Sequence, residues 1–167
     1  HIQAGTWIRG RGWNHDKFQD EARFLTRDDL DRISLDCPIA FTRTCGHVIS
    51  VNTAALKLIG MTESARQIEG GQIDVDENGR PLGIFREQAR QLVLDAIPEK
   101  SAEEIRELIL LTTQEALAHG VTTIQSDDFK DVPTNFQKVI DVYEQLRREG
   151  NLKIRVYEQC NLPVLEK

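Results

Sequence analysis

Between Gly5 and Trp13 the apolar Trp7 and Ile8 give way to Arg9, Gly10, Arg11 and Gly12, which predicts a short strand running into a glycine-permissive loop. Thr26 stands before Asp28 and Asp29, and Leu30 and Ile33 follow, so a short helix with an acidic first turn is expected there until Pro38 resets the chain. Pro38 to Arg43 and His47 to Val51 are β-branched or aromatic runs split by Thr44-Cys45-Gly46, the pattern of two strands. Asn52-Thr53 caps a helix carrying Ala54, Ala55, Leu56, Leu58 and Ile59, which Gly60 ends. The runs 70–75 and 80–85 flank Asp76-Glu77-Asn78-Gly79 and predict a hairpin, because Asn-Gly readily supplies positive φ. Glu87 falls where its second strand gives way to a helix with Ala89, Leu92, Val93 and Ala96, ended by Pro98.

The last third of the chain has a different rhythm. Ser101-Ala102-Glu103-Glu104 is a capping box, and Ile105, Leu108, Ile109 and Ala116 carry a helical stripe to Gly120. Val121 to Gln125 is a short β-rich run. Phe136, Val139, Ile140, Tyr143 and Leu146 then recur at helical spacing, Gly150 stops them, and Ile154 to Tyr157 form another strand. This is a βαβ unit, and a parallel pair needs both faces covered, so it belongs to a larger α/β layer or barrel. Its uncovered edges would favour self-association, which makes a homo-oligomer one of the assemblies expected. Residues 36–98 lack βαβ alternation and read as an insertion. The organisation expected is thus a barrel strand and loop over 1–35, an insertion subdomain with its hairpin over 36–98, and a helix plus βαβ unit over 99–167.

Composition narrows the function classes. The 167 residues are 40% hydrophobic and 29% charged, with no apolar run near the ~18 residues that suggest a membrane span. The net charge is −6 and the basic residues are scattered, which excludes a phosphate-tracking surface and makes nucleic acid an unexpected partner. Cys37, Cys45 and Cys160 are an odd number in no metal-ligand spacing, which argues against a disulfide framework and fits a reducing cytoplasm. The opening His1-Ile2-Gln3 has no initiator Met or signal region and reads as cut from something longer. Gly10-Arg11-Gly12 lacks the third glycine of a dinucleotide loop.

With these elements placed, an ordered set of motifs emerges. It runs Gly10-Arg11-Gly12-Trp13-Asn14, Leu30-Asp31, Pro38-Ile39, Arg43-Thr44-Cys45-Gly46-His47, Val51-Asn52 and Ala55-Leu56. Gly70-Gly71, Gly79 to Ile84, Glu87-Gln88-Ala89 and Gly120-Val121-Thr122-Thr123 complete it. In that order, over about the first 125 residues, the chain resembles the amidohydrolase superfamily, in the branch of N-substituted formamide deformylase and the exoenzyme regulators. The resemblance implies an α/β fold, a partial slice of a (β/α)₈ metal-dependent hydrolase barrel with an α+β insertion, and a site on the loops after the strands. It also implies zinc or another divalent metal in the parent enzyme, with none expected to be held by this segment alone. The family's His-x-His is absent here, and His1, His15, His47 and His119 are too dispersed to replace it.

Glu87 matches the Glu of the family's Gly-x-x-x-Glu-x-Ala segment, which implies a carboxylate metal ligand. The plain alternative is a solvated Glu in a first helical turn. His47 matches the family's Gly-His segment and is the catalytic candidate, hydrogen-bonding a substrate carbonyl or developing oxyanion; a lone histidine is as often structural. Asn52 is a substrate-binding candidate already explained as a helix cap. Trp13 is a candidate apolar wall for substrate, though tryptophan after a glycine-rich strand end is as often core. Asp127 and Asp128 follow a strand end but suit a loop and helix start, His15 lies in a polar loop, and His119 suits a helix C-terminus. The function expected is hydrolysis of C–N bonds in a small amide or formamide-like molecule by the parent enzyme, the segment itself being inactive. The competing expectation is a non-catalytic binding or regulatory module.

Overall fold

The computed structural model describes residues 3–19, 21–127 and 135–159. The chain divides into two units, His1–Ile97 and Pro98–Lys167, each with a core of its own.

Short runs of alternating or β-branched residues build the sheet of the first unit. Its strands are β1 (Ile8–Trp13), β2 (Ile39–Arg43), β3 (Val48–Val51), β4 (Gly71–Val75) and β5 (Pro81–Glu87), in the order β1-β2-β3-β5-β4. β1 runs parallel to β2, and every other neighbour is antiparallel. β1 therefore shares a sheet with the 36–98 segment. Three short helices accompany it: α1 (Arg27–Asp31), α2 (Thr53–Ile59) and α3 (Arg90–Ala96). Ala40, Ile49, Val51, Ile73 and Phe85 from the strands close a core with Ala55 and Leu56 of α2 and Val93 of α3. All four residues of β3 are buried, because the sheet is covered on both sides at its centre. On the side away from that core, Ser50 Oγ donates to the Leu25 carbonyl at 2.7 Å, tying the loop before α1 to the sheet.

The local signals explain the joints. Asp76 Oδ1 accepts from the Asn78 and Arg80 backbone N–H groups at 2.9 Å each, and Gly79 takes φ +80°, so the β4–β5 hairpin closes through an Asx turn. Gly60 ends α2 in the left-handed conformation with its N–H returned to the helix.

Charge fixes the entry to α1. Asp29 accepts from the Thr26 backbone N–H and hydroxyl, each at 2.8 Å, and from both Arg23 Nη atoms at 2.5 and 2.9 Å. Arg23, first among these partners, holds the Asp29 carboxyl well below the usual carboxylate range. A carboxyl more acidic in the folded than in the unfolded state stabilises above its unfolded pKa of about 4, and that contribution is lost as pH falls toward the folded value. Asp29→Asn is therefore expected to flatten the pH dependence of the urea midpoint below about pH 4. The effect is expected to be about 0.5–1 kcal/mol, because Arg23 stands largely in solvent.

In the second unit, a reciprocal capping box opens α4 (Ala102–Ala118): Ser101 Oγ accepts from Glu104 N at 3.2 Å, and Glu104 Oε2 accepts from Ser101 N at 2.8 Å. Ile105 and Ile109 of α4 pack on Val139, Val142 and Leu146 of α5 (Phe136–Arg148). β6 (Thr123–Ser126) and β7 (Arg155–Glu158) pair in parallel across α5. β6 starts two residues later than the apolar run suggests. Gly120 at φ +76° and the Val121 N–H bond to Ala116 O, 2.9 Å, keep the first of those residues tied to the end of α4. Among the described residues, no helix is long and apolar enough to cross a membrane.

Candidate active site

Strand direction gathers one set of side chains. The C-terminal ends of β1, β2 and β5 and the N-terminal ends of β3 and β4 coincide, which places Trp13, Arg43, His47, Glu87 and Gly71 along one end of the sheet.

Glu87 is the residue at which this end departs from ordinary geometry. Its φ of +49° makes it the one non-glycine residue in the left-handed region among those described, a conformation that costs an L-residue roughly 1–2 kcal/mol. The surrounding backbone imposes it. Glu87 N donates to His47 O at 3.0 Å, Gln88 N donates to Gly70 O at 3.2 Å, and Ala89 N donates to Arg86 O at 3.0 Å. Gly71 lies so close that a Cβ there would stand 2.3 Å from Ala89 N. The chain thus turns sharply from β5 into α3 and leaves the Glu87 carboxylate outside the core.

That carboxylate meets His47 Nδ1 at 2.8 Å, with both side chains more than half exposed. The contact with His47 lowers the Glu87 pKa. An ionised carboxylate only accepts, so His47 carries its proton on Nδ1 and has Nε2 left to face a ligand. Two neighbours complete the arrangement: Arg90, which carries no signal in the sequence, and Cys45 of the 43–47 motif. Arg90 donates from Nη1 to Gly46 O and from Nε to Glu87 O at 3.1 Å, bridging the 44–47 loop and the β5–α3 turn. Cys45 Sγ accepts from His47 N at 3.4 Å; burial pushes its thiol up, but the His47 N–H and Arg43 together outweigh that and lower it.

Trp13 stands at the same end, half-buried, with its indole N–H donated to Phe41 O at 3.0 Å. Its ring lies 6.3 Å from Phe18 and 6.0 Å edge-on from Phe24, and the Arg86 guanidinium sits 4.3 Å over Phe24. The structure places Asn52 elsewhere. It follows the C-terminal end of β3, so it lies at the opposite end of the sheet from His47. It is fully buried, and its amide is saturated: Oδ1 accepts from Ile39 N and Ala55 N, and Nδ2 donates to Ser34 O and Cys37 O, all at 2.8–3.0 Å. Asn52 has no bonding capacity left for a substrate, and the substrate-binding expectation for it is corrected to a structural role. Asp127 belongs to the second unit, and Asp128 lies outside the described residues. His15 stacks on Phe24 at 4.3 Å and accepts from Arg43, and His119 Nδ1 meets Glu115 O at 3.0 Å. Among the described residues, no group of three His, Cys, Asp or Glu side chains could hold a metal ion.

Fold and site together define a mixed α/β chain with an ordered, outward-facing carboxylate–histidine pair at a sheet end. The chain belongs to the amidohydrolase family, whose model matches residues 1–167. It is 35% identical over 127 residues to YtcJ of Bacillus subtilis (strain 168), which bears an amidohydrolase name. It is 34% identical over 124 residues to LONG AFTER FAR-RED 3 of Arabidopsis thaliana, and 30% identical over 128 residues to N-substituted formamide deformylase of Arthrobacter pascens. These matches cover 76%, 74% and 74% of the chain but only 24%, 21% and 23% of the relatives, so the chain spans about a quarter of their length. Crystal structures of uncharacterized metal-dependent hydrolases from Pyrococcus horikoshii and Pyrococcus furiosus are similar to it, with TM-scores of 0.56 and 0.55 and 26% identity each. They match 92% and 91% of the chain against 28% of either neighbour.

Proposed function

We propose that this chain is a segment of a metal-dependent amidohydrolase that cleaves C–N bonds in a small amide or formamide-like substrate, with Glu87 as a ligand to its metal. In this reading residues 99–167 belong to a (β/α)₈ barrel, residues 36–98 belong to its insertion, whose sheet β1 joins, and the parent works in the cytoplasm with zinc or a similar ion. The observation that carries it is the backbone of Glu87. A left-handed conformation at a non-glycine residue persists only where its surroundings over-determine it, and such positions cluster where a side chain must be held for function.

The residues fit one arm of a metal site. Glu87 offers an ionised carboxylate, exposed and outside the core, that accepts a hydrogen bond from His47, and ligating carboxylates are ordinarily held by such outer hydrogen bonds. The remaining ligands would come from other parts of the parent. When bound, a divalent ion supplies Lewis acidity that brings the pKa of water toward neutrality. This chain's residues then have defined tasks. Glu87 holds the ion, and His47, fixed through Nδ1, turns Nε2 toward the substrate. There His47 takes a proton, or as imidazolium donates to the carbonyl oxygen. Trp13 forms an apolar wall beside them. Hydrolysis adds the water oxygen to the carbonyl carbon, breaks C–N, and delivers the water's proton to the departing amine.

Because one carboxylate cannot bind zinc usefully, the 167-residue chain alone, given zinc, is expected to turn over no formamide, whereas the full-length protein turns it over and loses activity to a chelator. Zinc-dependent turnover by the chain alone would contradict this. Metal binding by the full-length protein that does not depend on the Glu87 carboxylate would favour the reading of this segment as a non-catalytic binding or regulatory module.

A further inference from the structure

We infer that Arg90 is a positioning residue for the Glu87–His47 pair, a role resting on the reading of Glu87 as a metal ligand. Arg90 is the first residue of α3, and a side chain there ordinarily points to solvent as a helix-surface cation. Here it is half-buried and turned back over the preceding turn. Its guanidinium donates in two directions, from Nη1 to the Gly46 carbonyl and from Nε to the Glu87 carbonyl at 3.1 Å. Among the described residues it forms no ion pair within 4 Å; its hydrogen bonds go to these two carbonyls, and beside the His47 hydrogen bond its charge also helps lower the Glu87 pKa.

The two carbonyls belong to the two backbone segments that carry the pair. Gly46 immediately precedes His47, and Glu87 is the strained residue itself. Bridging them locks the 44–47 loop to the β5–α3 turn, next to the bond from Glu87 N to His47 O at 3.0 Å. Without the bridge, the 44–47 loop and the β5–α3 turn lose one of their ties and keep the Glu87 N to His47 O bond, which loosens the fit of the carboxylate against His47 Nδ1. A planar guanidinium spans two acceptors with separate nitrogens, whereas a lysine presents a single nitrogen at one point.

The test uses the full-length protein in four variants, Arg90→Met, Arg90→Lys, Glu87→Gln and Arg106→Met, the last removing the Arg106–Glu149 pair of the second unit. Zn²⁺ affinity is read by competition with a chromogenic chelator, beside the thermal midpoint, kcat and KM. Arg90→Met is expected to weaken Zn²⁺ affinity about 10–100-fold, the range for losing an outer-sphere partner, and to lower kcat more than it changes KM. Arg90→Lys should recover part of the loss, and Arg106→Met should lower the midpoint without touching affinity. Wild-type Zn²⁺ affinity in Arg90→Met while Glu87→Gln loses metal overturns the role of Arg90 and leaves the ligand reading standing. Wild-type affinity in both overturns the ligand reading and this inference with it. If Arg90→Met fails to fold, Arg90→Lys carries the test: affinity weaker than in Arg106→Met supports the role, and wild-type affinity overturns it.

Discussion

Glu87→Gln in the full-length protein is expected to lower turnover at least about 100-fold while the thermal midpoint stays within a few degrees of wild type. Loss of an outer partner already costs a metal site 10–100-fold, and loss of a ligand costs no less. The small thermal effect follows from position. Glu87 is exposed, its carboxylate hydrogen-bonds His47 among the described residues, and its backbone bonds to His47 and Arg90 do not depend on the carboxylate. Glutamine keeps the volume and can still accept from Nδ1, so what is removed is charge. A purely structural Glu would behave in the opposite way, with turnover kept and the midpoint shifted by what a surface ion pair contributes, roughly 0–1 kcal/mol.

Asn52→Ala is expected to do the reverse, costing about 3–5 kcal/mol of stability, read by urea denaturation, with KM per folded molecule unchanged. Its amide satisfies four backbone groups in a fully buried position: Ile39 N at the start of β2, Ala55 N in the first turn of α2, and the Ser34 and Cys37 carbonyls in the loop between α1 and β2. Each buried group left unpaired costs roughly 1–3 kcal/mol, and relaxation or water recovers part of the sum. Asp31 secures the same corner through Thr53 N and Oγ1 at 2.8 and 2.6 Å, so the helix start survives while the junction weakens.

The contrast between these residues shows what the chain discloses before it is folded. Caps and turns are written locally, in the reach of a side chain to backbone two or three residues away. Ser101 with Glu104, Asn52 before α2 and the hairpin turn at Asn78-Gly79 are therefore legible. Long-range partners are not. Nothing near Asn52 announces that its amide also reaches Ile39, Ser34 and Cys37, so in sequence the residue fits a substrate contact as readily as a buried cap. β1 pairs with β2 across some 25 intervening residues without regular periodicity, and its place in the sheet of the first unit has no local signal. Glu87 was found by its place in a motif, but its left-handed backbone depends on Gly71 crowding Ala89, a tertiary fact. Arg90 looks in sequence like any solvated helix residue, since only the fold brings Gly46 beneath it.

The central claim, that Glu87 binds the metal of an amidohydrolase, is tested most directly by anomalous diffraction at the metal edge from crystals of the full-length protein. The expected result is a peak about 2.0–2.2 Å from a Glu87 carboxylate oxygen, with His47 Nδ1 still bonded to that carboxylate. A metal peak held by other residues, with the Glu87 carboxylate standing free in solvent, would contradict it.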